Sequence, residues 1–543
     1  MRLALCLPLL AMAAAPATAA APPHLVPQGN TKQLIVDDKP FLILGGELGN
    51  STASDLAALK PHWDDFRRLH MNTVVAPAYW ELIEPAEGRF DWSSVDGLLA
   101  DARGAGQHLV LLWFGSWKNS MSAYVPGWVK RDQARFPRAQ RPDGQGSEIL
   151  SPLAPANVAA DARAFAALMA HLKAVDGDRQ TVILVQVENE MGMLPTARDR
   201  SPTADAAFAA PVPRALTDWL VRHRATLAPE LKALWEANGA RISGDWRSVF
   251  GAGPAGEEVF SAWCFALHAD AVARAGKAAY DLPMYVNVAL NRPGSAPGDY
   301  PSGGPVPHLV DVWKAGAPDI DLIAPDIYFR DFGEILDRYA RPDNALFIPE
   351  ANQAGRAESP AEAMLAFGRY GAFGFSPFSI ENAKGPGAAA LGEAYDLLDQ
   401  LAPLILAARG TGRMTGFRPK VSFDGAVDDA PQTATLGDYR ITASFLDTWA
   451  PKEGQRTETH GALVIRLGPD DYAVAGSGVT FTFAPVTPGP PQAGLERVEE
   501  GHYVDGVWRR GRVLNGDQTH QGRFVRLPSG SWGIQRVRLY RYR

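Results

Sequence analysis

The stretch Thr181-Val-Ile-Leu-Val-Gln-Val-Glu-Asn-Glu190 joins an apolar, β-branched run directly to Glu188, Asn189 and Glu190. A buried strand ordinarily ends in turn residues, because an ionised carboxylate at its tip is costly unless something there requires it. The pattern recurs at Ala345-Leu-Phe-Ile-Pro349, which runs into Glu350, Ala351 and Asn352. Either glutamate alone fits an ordinary strand-end ion pair. Together, in a chain that alternates strands with helices, they point to the acid/base pair of a glycosidase on a (β/α)8 TIM barrel.

Working outward, the strand candidates are Phe41–Gly45, Thr73–Pro77, His108–Trp113, Val182–Val187, Met284–Val288, Leu322–Pro325, Leu346–Pro349 and Gly374–Phe378. Helical patterns fall between them at Ser51–His70, Ser93–Ala105, Ala156–Val175, Phe260–Tyr280 and Ser359–Tyr370. Near-continuous apolar strands suit a parallel sheet covered on both faces, and eight of them suit a barrel. Two connections are long: the Pro-punctuated excursion between Glu190 and Phe260, and the Pro/Gly-rich loop Arg292–Pro307. Both emerge on the C-terminal face, where loops shape the substrate site. After the helix Gly387–Ala408 the pattern changes to short alternating strands with Gly, Pro and Asp turns, including Tyr439–Leu446, Leu463–Leu467, Val479–Phe483, Arg523–Leu527 and Val537–Tyr542. The expected organisation is a catalytic barrel over 21–410 and a small all-β, sandwich-like C-terminal domain over 411–543, which packs on the barrel or binds carbohydrate.

Residues 1–20 read as an export signal: Arg2, an apolar core over Leu3–Ala15, then Ala17-Thr18-Ala19 as the cleavage site. The apolar core is too short to span a bilayer, and no membrane span is expected later. Export to the periplasm is the expectation, with secretion the alternative. Removal of Cys6 would leave Cys264 alone, so neither a disulfide nor a cysteine-based metal site is expected. The 11 His show no close pairing, so no metal and no cofactor are expected. A formal net charge of −7 argues against nucleic acid or an anionic membrane as partner. The 14 Trp and 14 Tyr are compatible with a sugar-binding cleft and with ordinary cores. Oligomeric state is not readable.

At this point the chain resembles the family 35 glycoside hydrolases, retaining β-galactosidases of the large barrel clan. Gln186-Val-Glu-Asn-Glu190 looks like the family's fourth-strand signature, followed by Met191-Gly192 where Tyr-Gly is more common. Pro85, Gly88, Phe90, Asp91 and Trp92, after Trp80 and Glu84, are similar to its second-strand block, and Pro126-Gly-Trp-Val129 to a segment after its third strand. The resemblance spans roughly residues 33–409. It departs where Pro77-Ala-Tyr-Trp-Glu81 and Phe114-Gly-Ser-Trp-Lys-Asn119 stand, segments that help define the galactose subsite in the family.

The resemblance implies Glu190 as general acid/base and Glu350 as nucleophile, with Asn189 on the substrate 2-hydroxyl and Tyr328 hydrogen-bonded to the nucleophile. Further substrate-binding candidates are Glu47 past the first strand, and Trp80, Glu81, Trp113, Trp117, Lys118 and Asn119 after the second and third. Asn287, Asn291, Glu381 and Asn382 carry less weight. Glu188 is expected on the same side of its strand as Glu190, deeper in the barrel and paired with a basic group or donor. The implied activity is exo-acting release of β-galactose, with retention, from plant-polysaccharide oligosaccharides. The alternatives are another retaining β-glycosidase of the clan (a β-glucosidase, endo-glucanase or mannanase) or a silent carbohydrate-binding protein.

Overall fold

The computed structural model describes residues 21–447, 449, 451 and 453–543. The expected export signal, residues 1–20, lies outside the described residues. Eight parallel strands close into a barrel in sequential order: β1 (Ile43–Glu47), β2 (Thr73–Tyr79), β3 (His108–Phe114), β4 (Val182–Val187), β5 (Met284–Ala289), β6 (Leu322–Ile327), β7 (Phe347–Gln353) and β8 (Gly374–Phe378). Pairing of β8 with β1 and of β4 with β5 leaves no free edge in the barrel. Every residue of β2, β4 and β6 is buried, because side chains meet the barrel interior on one face and the helix layer on the other. The (β/α)8 barrel read from the sequence is therefore the fold.

Two expectations shift. The first strand begins at Ile43, because the Phe41 N–H is spent on Leu34 of an N-terminal hairpin (His24–Gln28 with Thr31–Val36). That slip places Glu47 inside β1 rather than beyond it. The long helix expected over Ser51–His70 is broken into Leu56–Leu59 and Trp63–Arg68, flanked by short 3-10 turns. Asp55 caps the first piece by accepting from the Ala57 and Ala58 N–H groups. Pro61, which has no N–H to give, interrupts the ladder after it.

Beyond the helix Gly385–Ala408 lies a β domain of two main sheets and a short ribbon, Lys420–Val421 with Val427–Asp428. Its four-stranded sheet contains Tyr439–Ser444 and Val479–Pro485, and its six-stranded sheet contains Gly461–Arg466, Asp471–Ser477 and Gly533–Tyr542. A core including Tyr439, Ile441, Val464, Val474 and Phe481 fills the space between the sheets. Successive residues of Gly461–Arg466 face opposite ways: Val464 joins that core, while Leu463 and Ile465 join the barrel's. The second face covers the helix Ser359–Gly368, all ten residues of which are buried. The approach is backbone to backbone, since a Cβ on Gly368 would lie 2.7 Å from the Gly416 Cα. The buried pair Arg418–Glu362, at 3.3 Å, closes the same interface. Packing on the barrel is thus what this domain visibly does. Among the described residues no helix is long and apolar enough to cross a membrane.

Candidate active site

β4 ends in an irregular tip. Glu188 and Glu190 both adopt left-handed backbone, with φ of 61° and 45°. Non-glycine residues in that region cost about 1–3 kcal/mol each and persist only where their surroundings impose them. The left-handed turns break the strand's alternation and send the two glutamates different ways. The expectation that they share a side is therefore corrected: Glu188 turns to the helix layer and Glu190 to the barrel mouth.

Glu190 is only 7% exposed. Its N–H donates to Asn287 Oδ1 at 2.8 Å, its carbonyl accepts from the Ser120 N–H at 3.0 Å, and its carboxylate accepts from the Asn119 side chain. Glu350 lies on β7, 6% exposed, and accepts a hydrogen bond from the Tyr328 hydroxyl just beyond β6. Burial first, then the charge of Glu350, raises Glu190 to about 7. Burial also raises Glu350, but Lys118, the Tyr328 hydroxyl and Glu47 all favour its ionised form. One carboxyl is thus kept protonated near neutral pH while the other is helped to ionise, the division that acid/base and nucleophile require. Burial raises Tyr328 far above the ordinary phenol range, with Glu350 adding to it, so its proton stays in place as a donor.

Around this pair the structure gathers Glu47, Lys118, Asn119, Asn189, Asn287 and Asp326. Glu47 is 2% exposed, contacts Glu350 and is raised well above the usual carboxylate range by burial and by that neighbour. Asn189 is fully buried, and both its side-chain amide atoms lack a partner among the described residues. Such an amide is expensive unless something else completes it.

Other candidates stand elsewhere. Trp80 and Trp113 are fully buried, and their indole N–H groups are spent on Glu84 and Asp161, both at 2.8 Å. They are core residues, not subsite walls: Trp113 on β3 packs against Phe165 of the helix Pro155–Asp176, and Trp80, which opens the short helix Trp80–Ile83 after β2, packs against Trp113. Glu81 pairs with Lys130 at 3.3 Å on the rim. Trp117 packs edge-on against Phe265 and His268 of the helix Pro254–Ala279. Glu381 accepts from the Gly49 N–H and the Thr52 hydroxyl, anchoring the turn after β1.

Residues 55–249 match the family model described as Beta-galactosidase, that of glycoside hydrolase family 42. Residues 391–526 match a domain of unknown function. The first segment contains Lys118, Asn119, Asn189 and Glu190 but stops before Tyr328 and Glu350. A β-galactosidase from Xanthomonas manihotis is 33% identical over 107 residues, 19% of this chain and 18% of that protein. The chain therefore aligns with under a fifth of that relative's length. Among solved structures, a β-galactosidase from the psychrophilic Marinomonas ef1 overlaps with a TM-score of 0.46 at 13% identity, covering 69% of this chain and 62% of that one. The catalytic domain of a β-amylase from Paenibacillus polymyxa overlaps with a TM-score of 0.45 at 13% identity, covering 64% and 96%. The family-model match supports a glycoside hydrolase with a β-galactosidase-like segment, a coarser statement than family 35.

Sequence reading assigned no role to Asp326, and of the trio Asp161, Glu188 and His268 it singled out Glu188 alone, which does accept from a donor, the Trp117 N–H at 2.8 Å. In that trio, one ligand-type atom from each residue lies within 4.8 Å of the others. The residues come from a helix, a strand tip and another helix, so no sequence spacing announces them. Asp161 accepts from the Trp113 indole, from the Ser116 hydroxyl and N–H, and from His268 Nε2 at 3.3 Å. Burial pushes Asp161 up, but bonds with His268, Glu188 and Ser116 outweigh it and hold it below the usual range. Burial and the Asp161 charge push Glu188 well up. The opposed directions leave the proton on Glu188 and the charge on Asp161.

Proposed function

We propose that the protein is an exo-acting retaining β-galactosidase that releases terminal β-galactose from oligosaccharides of plant polysaccharide. The observation that carries this reading is the buried pair at the barrel mouth. Glu190 is held protonated to about 7 beside Glu350, while Lys118 and the Tyr328 hydroxyl favour a Glu350 carboxylate. In the first half-reaction Glu350 attacks the anomeric carbon as Glu190 protonates the leaving oxygen. In the second, ionised Glu190 takes a proton from water, which attacks the same carbon and frees Glu350. The unpartnered Asn189 amide is the group for the 2-hydroxyl, where a hydrogen bond strengthens toward the oxocarbenium-like transition state. Lys118, Glu47 and Asn119 are the sugar contacts we assign from the original candidates.

The sugar rests on the match of residues 55–249 to a β-galactosidase model and on the fourth-strand and second-strand motifs. We place the chain with family 35 on those motifs, the matched model being that of family 42. Export through residues 1–20 and action in the periplasm complete the proposal. The testing experiment is a panel of nitrophenyl β-glycosides with proton NMR of the released sugar. β-Galactosides are expected to be cleaved best, with the β-anomer appearing first. A tenfold preference for glucosides or mannosides would replace the sugar and keep the barrel chemistry. First appearance of the α-anomer would overturn retention, and no turnover of any glycoside would leave a binding protein.

A further inference from the structure

Asp326 has no role in the reaction as written, yet the fold places it beside both reacting carboxyls. In the barrel register it stands opposite Glu350 on β7 and Ala289 on β5, and parallel neighbours in register present their side chains to the same face. It is 2% exposed. Its Oδ2 accepts from Asn287 Nδ2 at 2.6 Å, while Asn287 Oδ1 accepts from the Glu190 N–H at 2.8 Å. One amide therefore bridges the two acids, its orientation set by a contact at each end. The other oxygen, Asp326 Oδ1, is buried and receives no donor among the described residues.

The groups that face Asp326 come from every side of the barrel mouth. Glu190 follows β4, Glu350 lies on β7, Glu47 on β1, Lys118 follows β3, Tyr285 lies on β5, Tyr328 follows β6, and Tyr339 ends the helix Phe332–Tyr339 behind it. Three of them are acids and one is a cation. The Asp326 and Glu190 carboxyls also lie within hydrogen-bond reach of each other. Two carboxyls make such a contact only when one holds a proton, because two ionised oxygens repel and neither can donate.

We propose that Asp326 is a neutral carboxylic acid that donates a hydrogen bond to the Glu190 carboxyl, a positioning residue that fixes the acid/base and favours its ionised form in the water-activating half-reaction. This inference rests on the reading of Glu190 as acid/base. The proton stays on Asp326 throughout; only the Glu190 proton moves, to the leaving oxygen and back from water. An acceptor carbonyl remains on Glu190 when it is protonated, so the same contact holds in both half-reactions and leaves the Glu190 hydroxyl free for the substrate.

The test is the pH profile of kcat/KM on the glycoside that the panel shows to be preferred, for wild type, Asp326→Asn and Asp326→Ala. The alkaline limb reports loss of the Glu190 proton. Asp326→Asn keeps a donor for Glu190 and an acceptor for Asn287, so its alkaline limb should stay within about 0.3 pH unit and its kcat within about threefold. Asp326→Ala removes the donor, so the limb should move up by about half a unit or more, with kcat for an activated aryl glycoside down about tenfold as water attack slows. A downward move of the limb in either variant means that Asp326 carries a charge and overturns the proposal. Should Asp326→Ala fail to fold, the near-isosteric Asp326→Asn decides alone, an unmoved limb supporting the proposal and a lowered one overturning it. Persistence of the alkaline limb in Glu190→Gln would instead sink the acid/base reading, whatever Asp326 does.

Discussion

Two buried acid clusters meet at Glu188 and Glu190, just past β4, and they differ in their access to the barrel mouth. Behind the tip, Asp161 and Glu188 are enclosed by donors from Trp113, Ser116, Trp117 and His268. Even so, among the described residues Glu188 Oε1, His268 Nδ1 and the Trp117 indole lack a partner there, as both Asn189 amide atoms and one oxygen each of Glu47 and Asp326 do at the mouth. Unpaired buried atoms occur in both clusters, so what separates them is access: Asp161 and Glu188 are wholly buried, whereas Glu190 and Glu350 are slightly exposed beside the exposed Tyr328. The first cluster holds the Ser116–Ser120 turn through the Trp117 N–H bond to Glu188 at 2.8 Å. That turn carries Lys118 and Asn119 to the second cluster. One cluster builds; the other reacts.

The comparison is most exposed at Glu350. Glu350→Gln removes the nucleophile and should lower kcat by about 10⁴-fold or more on every substrate, with an unchanged melting temperature. Retained turnover would take Glu350 out of the reactive cluster. Glu190→Gln should cost about 10²–10⁴-fold on poor leaving groups and far less on nitrophenyl glycosides, which barely need a proton. In Glu190→Ala, added azide should restore turnover and yield a β-glycosyl azide; equal losses on all leaving groups would refute the assignment.

Behind the tip the readout is stability. Glu188→Ala should cost about 2–4 kcal/mol of folding free energy by leaving a cavity and an unpaired Trp117 N–H. Glu188→Gln should fold nearly normally, since an amide supplies permanently the proton that Glu188 holds beside Asp161. Denaturant melts that rank the two variants the other way would mean Glu188 is ionised. A smaller effect separates proton from cation. Chelator should leave the melting temperature and activity unchanged, whereas a clear drop would make Asp161, Glu188 and His268 a metal centre. In solution, activity should fall as pH rises through about 7, because Glu190 then loses the proton that the leaving group needs.

The strand tips were legible because their chemistry runs against the local pattern: an apolar β-branched run that ends in acids has few structural excuses. Lys118 and Asn119 were legible for a weaker reason, their place just after β3. Trp80 and Trp113 were misplaced because a strand-end aromatic reads the same whether its ring turns into the barrel or out to the helices. Asp326 was passed over inside Leu322–Ile327, where one acid beside a proline looks like ordinary strand termination.

The sequence by itself determined the eight strands, their parallel order and the two glutamates at their ends, since hydrophobic periodicity and strand-tip polarity are local properties of the chain. Only the tertiary structure decided which acids hold a proton, which polar atoms are left unpaired, and which way Glu188 and Glu190 turn. Those depend on barrel register and on left-handed backbone at the tip of β4, which bring residues from different strands and helices within a few ångströms of one another. Electrostatic coupling is set by that distance and by burial, and neither is written in the spacing of residues along the chain.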